Sequence, residues 1–436
     1  LPFPLKSTVQ SFVQGQVALT LEQDWAWNGA NFTKGTLLSF DLDELKSDAA
    51  KAKATLIYTP GPRESIEQVS NTRNRLLVAV YENVKGALYS YAFANGGWTR
   101  AKVDLPANAS IGVVATRDDD DKMFVDVDSF LEPDALYLGD AAAGRFERVK
   151  SLPPRFDASD LAVDQYEATS ADGTKVPYFF IHRKDVALNG DNPTLLYAYG
   201  GFQVSMTPNY SGPIGKLWLE RGGAYVLANI RGGGEFGPAW HQAGLKTKRQ
   251  VVYDDFAAVA DDLIARKITS PRRLGIMGGS NGGLLMGVQF TQRPELWNAV
   301  VIQVPLLDML RYDKLLAGAS WVGEYGDPDN PEEAAFLRKI SPYHNLKKGA
   351  KYPEPFFVTS TKDDRVHPGH ARKMAAKMES MKLPFLYYEN IDGGHSAAAN
   401  QRERAKRIAL EFTYLTRKLM DDAPQAAGSG AKSTAD

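Results

Sequence analysis

A chain of 436 residues exceeds one ordinary core of ~100–200 residues, so two domains are expected, one of them large. Hydrophobic residues make up 44% and charged residues 24%, the balance of a folded chain, which excludes wholesale disorder. The 51 Lys and Arg against 52 Asp and Glu leave a net charge of −1, without the basic excess that nucleic acid or an anionic membrane would require, and zero Cys excludes disulfides, thiolate chemistry and Cys-type zinc sites.

No apolar run reaches the ~20 residues of a spanning helix, and no basic segment leads an apolar one after Leu1, so neither a membrane span nor a signal peptide is read. Composition does not choose between a cytoplasmic and a periplasmic setting.

Residues 1–156 read as short strands and turns. One strand recurs as Thr36-Leu37-Leu38-Ser39-Phe40, Ala87-Leu88-Tyr89-Ser90-Tyr91 and Ala135-Leu136-Tyr137-Leu138. Leu37 lies 51 residues before Leu88, and Leu88 lies 48 before Leu136. Each is preceded by another β-rich run: Val17–Leu21, Leu76–Val80 and Met123–Val127. A period near 50 with several short strands per unit predicts propeller blades, with an antiparallel sandwich as the alternative. About three blades fit this length, fewer than the ~4–8 of a closed ring, so open edges are expected.

From 157 to 420 strand-like and helix-like runs alternate. Apolar runs at Thr194–Tyr199, Ala224–Ile230, Leu274–Met277, Ala299–Val304, Pro355–Thr359 and Phe385–Tyr388 read as strands. Val252, Phe256, Val259 and Leu263 recur at helical spacing, as do Ala405, Ile408, Phe412, Leu415 and Leu419 near the end. The alternation predicts an α/β domain with a doubly wound, mostly parallel sheet. The Ala-, Gly- and Ser-rich tail 421–436 is expected to be disordered.

Gly278-Gly279-Ser280-Asn281-Gly282 follows a short apolar strand and precedes an apolar helix, the context of a nucleophile elbow. Serine there must occupy a strained turn, and bulky neighbours would clash with the adjacent strand and helix. Serine needs a base, and α/β-hydrolases supply Ser, then an acid, then His, in chain order. His395 in Asp392-Gly393-Gly394-His395 follows one predicted strand, and the Asp363-Asp364 pair follows the strand before it. The separations are 83 residues from Ser280 to Asp363 and 32 from Asp363 to His395. Spacing alone leaves Asp364 open as the rival acid. His367 and His370 have the spacing of a metal-holding pair, but Pro368-Gly369 between them reads as a turn opening a helix. His344, in a loop after Ser341-Pro342-Tyr343, reads as structural. No metal and no cofactor are expected.

Residues 157–420 closely resemble the catalytic domain of the prolyl oligopeptidase (prolyl endopeptidase) family. The matching pieces are Tyr199-Gly200-Gly201-Phe202, Asn229-Ile230-Arg231-Gly232-Gly233-Gly234-Glu235-Phe236-Gly237, the elbow, Asp363-Asp364-Arg365-Val366 and Gly393-Gly394-His395. The resemblance implies an α/β-hydrolase domain preceded by a propeller, here partial. It also implies a serine endopeptidase cutting short peptides after proline. Ser280 would be the nucleophile, His395 the base and Asp363 its partner. The Tyr199 hydroxyl and the Asn281 backbone N–H would form the oxyanion hole. Trp321, Phe202, Tyr325 and Val366 would wall the proline pocket, and Arg365 would bind a substrate carbonyl.

The implied partners are short proline-containing peptides, with no nucleic acid and no membrane. The front departs from the family: about four blades and an N-terminal segment have no counterpart, so the chain resembles a C-terminal portion whose propeller a missing piece would complete. Competing expectations are a sibling peptidase of basic-residue, acylaminoacyl or dipeptidyl preference, and an inactive β-rich interaction module.

Overall fold

The computed structural model describes residues 3–421, so nearly all of the tail expected to be disordered lies outside the described residues. Two textures seen in the sequence become two kinds of sheet. The first fourteen strands are short and antiparallel. β1 (Ser7–Val13), β2 (Gln16–Leu21), β5 (Leu37–Asp41) and β6 (Thr55–Tyr58) form one four-stranded sheet, interrupted by the hairpin β3 (Trp25–Trp27) and β4 (Ala30–Phe32). β7 (Glu64–Asn71), β8 (Leu76–Glu82), β9 (Lys85–Ala94) and β10 (Gly97–Lys102) form the second. β11 (Ser110–Thr116), β12 (Lys122–Asp128), β13 (Ala135–Asp140) and β14 (Arg145–Ser151) form the third.

Each sheet is a meander, and the first strands β1, β7 and β11 lie next to one another, the arrangement of propeller blades. The strand that recurs in the sequence is the third strand of each blade, and the run before it is the second. These are the blade interiors. Leu37, Leu38 and Phe40 in β5 and Leu76, Leu77 and Val78 in β8 are fully buried, because blade packs on blade through both faces. The fourth strands are wetter: every residue of β14 except Phe146 is exposed.

The remaining strands make one eight-stranded sheet in the order β15-β16-β18-β17-β19-β20-β21-β22. β15 (Leu161–Thr169) and β16 (Lys175–Arg183) are an antiparallel edge. β17 (Thr194–Tyr197), β18 (Ala224–Ala228), β19 (Leu274–Gly279), β20 (Ala299–Gln303), β21 (Pro355–Ser360) and β22 (Leu386–Asn390) run parallel. Sequence reading singled out neither edge strand.

Alternation along the parallel strands feeds two cores. Val226, Ile276, Val300 and Ile302 face the helices Gln250–Ala265, Asn281–Gln292 and Gly369–Ser380. Leu227, Ala299, Val301 and Val358 face Trp218 and the last helix, Gln401–Leu419. That helix is capped by Asn400, whose side chain accepts the Glu403 N–H at 3.0 Å. Its buried residues begin at Glu411. Ala405, included in the sequence stripe, is exposed, because the first turns of the helix face solvent.

The blades sit against the large sheet's loops through specific polar contacts. The Ser65 hydroxyl donates to the Glu235 carbonyl at 3.0 Å, and the Tyr210 N–H donates to Asp128 at 2.7 Å. Arg63 pairs with Glu167 at 2.5 Å.

Candidate active site

β19 delivers Ser280 into a turn that few side chains adopt, with φ 59° and ψ −119°. Strain of this kind costs ~1–3 kcal/mol and persists only where packing enforces it. Two contacts enforce it here. The Ser280 N–H donates to the Gln303 carbonyl of β20 at 3.0 Å, and the helix Asn281–Gln292 starts at the next residue. The glycines make the approach possible. A Cβ on Gly283 would lie 2.5 Å from the Gln303 carbonyl oxygen, and one on Gly278 would lie 2.7 Å from the Gly282 oxygen.

The loop after β21 carries Asp363 and the loop after β22 carries His395. They meet although 32 residues separate them: His395 Nδ1 lies 2.8 and 3.0 Å from the two Asp363 carboxylate oxygens. The Asp363 side chain is fully buried. One of its oxygens also accepts the Arg365 and Val366 N–H groups, each at 2.9 Å, which fixes the carboxylate plane. Asp364, the rival by spacing, is exposed. Asn390 accepts the Gly393 N–H at 2.6 Å, and the Ser360 hydroxyl donates to the Gly393 carbonyl, so the histidine loop is anchored at its base.

Tyr199 lies two residues beyond the end of β17. Burial pushes that phenol's pKa upward, while the Ser280 hydrogen bond and the nearby Arg365 and Arg249 charges oppose the rise. Asn281 is buried at the head of the helix. Its side-chain amide donates to the Tyr199 carbonyl at 2.6 Å and accepts from the Tyr325 hydroxyl at 3.0 Å.

Of the expected pocket residues, Tyr325 touches Asn281 and Val366 donates its N–H to Asp363. Tyr325 is buried with its ring edge-on to Phe202, centroids 5.6 Å apart. Phe202 is half exposed at a backbone φ of 56°. Val366 is buried in the same core as Tyr325, and Trp321, half-buried, packs against that core. Arg365 is exposed, and its carbonyl accepts the Ala317 N–H at 3.3 Å, joining the acid loop to the Leu316–Trp321 turn.

The other histidines are occupied elsewhere. His370 Nδ1 accepts the Leu307 and Asp308 N–H groups at 3.2 and 3.1 Å, and burial lowers its pKa to about 4. His367 Nδ1 accepts the Gly369 N–H at 2.9 Å, opening the helix Gly369–Ser380. His344 bonds the Ser341 hydroxyl at 2.8 Å.

Sequence reading missed three polar residues beneath the site. Arg249 and Glu324 pair at 2.8 Å, both nearly inaccessible, and His241 Nε2 lies 2.7 Å from Glu324. The available signal was a charge embedded in apolar company, Trp321-Val322-Gly323-Glu324-Tyr325, with no local partner.

The family model described as "Prolyl oligopeptidase family" matches residues 210–422, and that described as "Prolyl oligopeptidase, N-terminal beta-propeller domain" matches residues 10–151. An uncharacterized peptidase, y4nA, of Sinorhizobium fredii is 57% identical over 97% of this chain and 58% of its own length. A prolyl endopeptidase of Dictyostelium discoideum is 33% identical over 88% of this chain and 52% of its own. The solved structure of a post-proline cleaving enzyme from Rickettsia typhi superposes with a TM-score of 0.89 at 36% identity. That match covers 96% of this chain and 61% of the other. The chain spans 58% of the length of the first two curated relatives. With both models of one family matching in order and together covering most of its length, the chain belongs to the prolyl oligopeptidase family, with a β-propeller portion followed by an α/β-hydrolase domain.

Proposed function

We propose that this chain carries the catalytic centre of a serine peptidase that hydrolyses short peptides on the carboxyl side of proline. The observation that carries the reading is the Asp363–His395 contact at 2.8 Å, on loops that leave β21 and β22 at the same end of the parallel sheet as the strained Ser280 turn after β19. Asp363 occupies Nδ1, which leaves Nε2 as the ring nitrogen able to accept a proton.

The chemistry follows in balanced steps. The Ser280 oxygen forms a bond to the peptide carbonyl carbon as its proton passes to His395 Nε2. Negative charge collects on the former carbonyl oxygen, where the Asn281 N–H and the Tyr199 hydroxyl donate to it. Collapse breaks the C–N bond, and His395 gives its proton to the departing amine. Water then repeats the sequence on the acyl-enzyme, returning the serine hydroxyl and releasing the acid.

Proline preference rests on Trp321, Phe202, Tyr325 and Val366, a set of rigid apolar faces that suits a compact ring. Glu324, which accepts the Phe202 N–H, is already held by Arg249 and His241, so it offers no free anion to a lysine or arginine side chain. Arg365 would bind a substrate backbone carbonyl. The Ser280→Ala chain should lose hydrolysis of a chromogenic Gly-Pro amide, and undiminished turnover would refute the assignment. Side-by-side Pro, Arg and Phe amides test the pocket, and faster cleavage after Arg overturns it.

A further inference from the structure

Arg249 opens the helix Gln250–Ala265, and its side chain reaches the Tyr199–Phe202 turn, the elbow residue Asn281 and the segment that carries Glu324 and Tyr325. Its side chain is 1% exposed. One terminal nitrogen donates to Glu324 at 2.8 Å. The other donates to the Gly200 carbonyl at 3.1 Å and to the Asn281 side-chain oxygen. Its guanidinium lies 4.6 Å from the Tyr325 ring centroid. Glu324 continues the chain of contacts by accepting the Phe202 N–H at 3.0 Å. Asn281, gripped by Arg249 and Tyr325, in turn donates to the Tyr199 carbonyl at 2.6 Å.

The turn Tyr199–Phe202, the elbow residue Asn281 and the pocket residue Tyr325 therefore share one buried cation. Hydrogen bonds among these segments alone would leave the Asn281 amide oxygen with the Tyr325 hydroxyl as its sole side-chain donor. Arg249 supplies a second, and its planar fork holds Glu324 on one terminal nitrogen while the other holds Gly200 and Asn281, a fixed separation that a single lysine nitrogen does not have. A buried ion pair is a weak source of stability, and this one leaves the Arg249 Nε–H without a partner. What the arrangement supplies is register.

We propose that Arg249, held by Glu324, is a positioning residue that sets the Tyr199 hydroxyl and the Asn281 N–H in mutual register for the developing oxyanion. The proposal rests on the peptidase reading above. Small displacements of such donors are expensive in rate: ~1 Å of misplacement costs ~10²-fold.

The test uses the full chain as Arg249→Met and Arg249→Lys. Active serines are counted with a fluorophosphonate taken to completion, and kcat and KM are measured on a Gly-Pro amide. Arg249→Met should lower kcat per titrated serine by roughly 10- to 100-fold while KM moves less than about threefold. Arg249→Lys, which keeps the charge but not the fork, should recover part of that loss. A purely structural role predicts a lower thermal midpoint with kcat per titrated serine unchanged, and that result overturns the proposal. Should the Met variant not fold, the Lys variant decides: full wild-type kcat rejects the idea, and a kcat loss with KM held supports it. A wild-type chain inert to both probe and substrate removes the peptidase reading, and the proposal with it, which is distinct from a reactive wild type with indifferent variants.

Discussion

The sharpest test of the catalytic geometry is Asp363→Asn. One carboxylate oxygen of Asp363 accepts the Arg365 and Val366 N–H groups and also lies 3.0 Å from His395 Nδ1; the other contacts His395 alone, at 2.8 Å. An asparagine can keep the first oxygen on both backbone donors, each worth about 0.5–1.5 kcal/mol, so the loop should stay folded. Its NH2 then replaces the second oxygen and donates toward Nδ1. The imidazole must answer with a lone pair at Nδ1 and a proton on Nε2, the tautomer that cannot accept the serine proton. The equivalent change in a serine protease triad costs ~10⁴ in kcat, and ~10⁴ corresponds to about 5.4 kcal/mol of transition-state stabilisation. The assay is steady-state hydrolysis of a Gly-Pro amide, with circular dichroism to verify folding and Asp364→Asn as the control. A folded Asp363→Asn chain within tenfold of wild type would refute the argument, as would an equal loss in the Asp364 control.

Two further expectations concern the scaffold. Gly283→Ala should cripple the elbow, since the new methyl would sit 2.5 Å from the Gln303 carbonyl and must push backbone rather than side chain. A loss of ~1–3 kcal/mol in chemical denaturation is expected, together with a fall in fluorophosphonate labelling, and wild-type behaviour in both would show that the turn tolerates bulk. Glu235 lies under the blades, where burial lifts its carboxyl from the ordinary 4.5 to about 7. The folded chain therefore keeps a proton that the unfolded chain releases, so stability falls as pH rises from about 4.5 to about 7 and stays low above that. Glu235→Gln removes this titration, and its thermal midpoint relative to wild type should climb between pH 5 and pH 8; a constant difference would contradict the sign.

What the sequence revealed follows from what is buried where. The second and third strands of the first two blades are largely enclosed on both faces, so their apolar runs are long and repeat visibly near every 50 residues, while β12 in the third blade alternates buried with exposed. The first strands mix burial with exposure, as in Ser7–Val13, and of the fourth strands β10 and β14 are largely exposed and β6 is short, so neither stands out. The edge pair β15 and β16 escaped notice for a related reason: β15 carries Asp164, Gln165 and Glu167 between its apolar positions and resembles a surface turn. The serine turn was legible because its glycines are demanded locally, strand to helix, within a dozen residues. Choosing between Asp363 and Asp364 was not, because adjacent acids differ only in which one the loop after β21 turns inward. Arg249 and Glu324 were invisible for a different reason. Their partnership spans 75 residues, so even where Glu324 stands in apolar company nothing local names its partner.

That partnership has a consequence for anyone who would redesign the proposed substrate preference. The Leu316–Tyr325 segment invites transplantation as a cassette, since it carries two of the residues expected to contact a substrate ring. Its glutamate, however, answers to an arginine on another helix, and through that arginine to the turn at 199–202. A graft that imports a foreign segment without its matching counterpart at 249 would strand a charge in the interior and loosen machinery it never touched. Recognition and chemistry are therefore expected to vary together across homologues, with substitutions at 249 and 324 arriving as pairs.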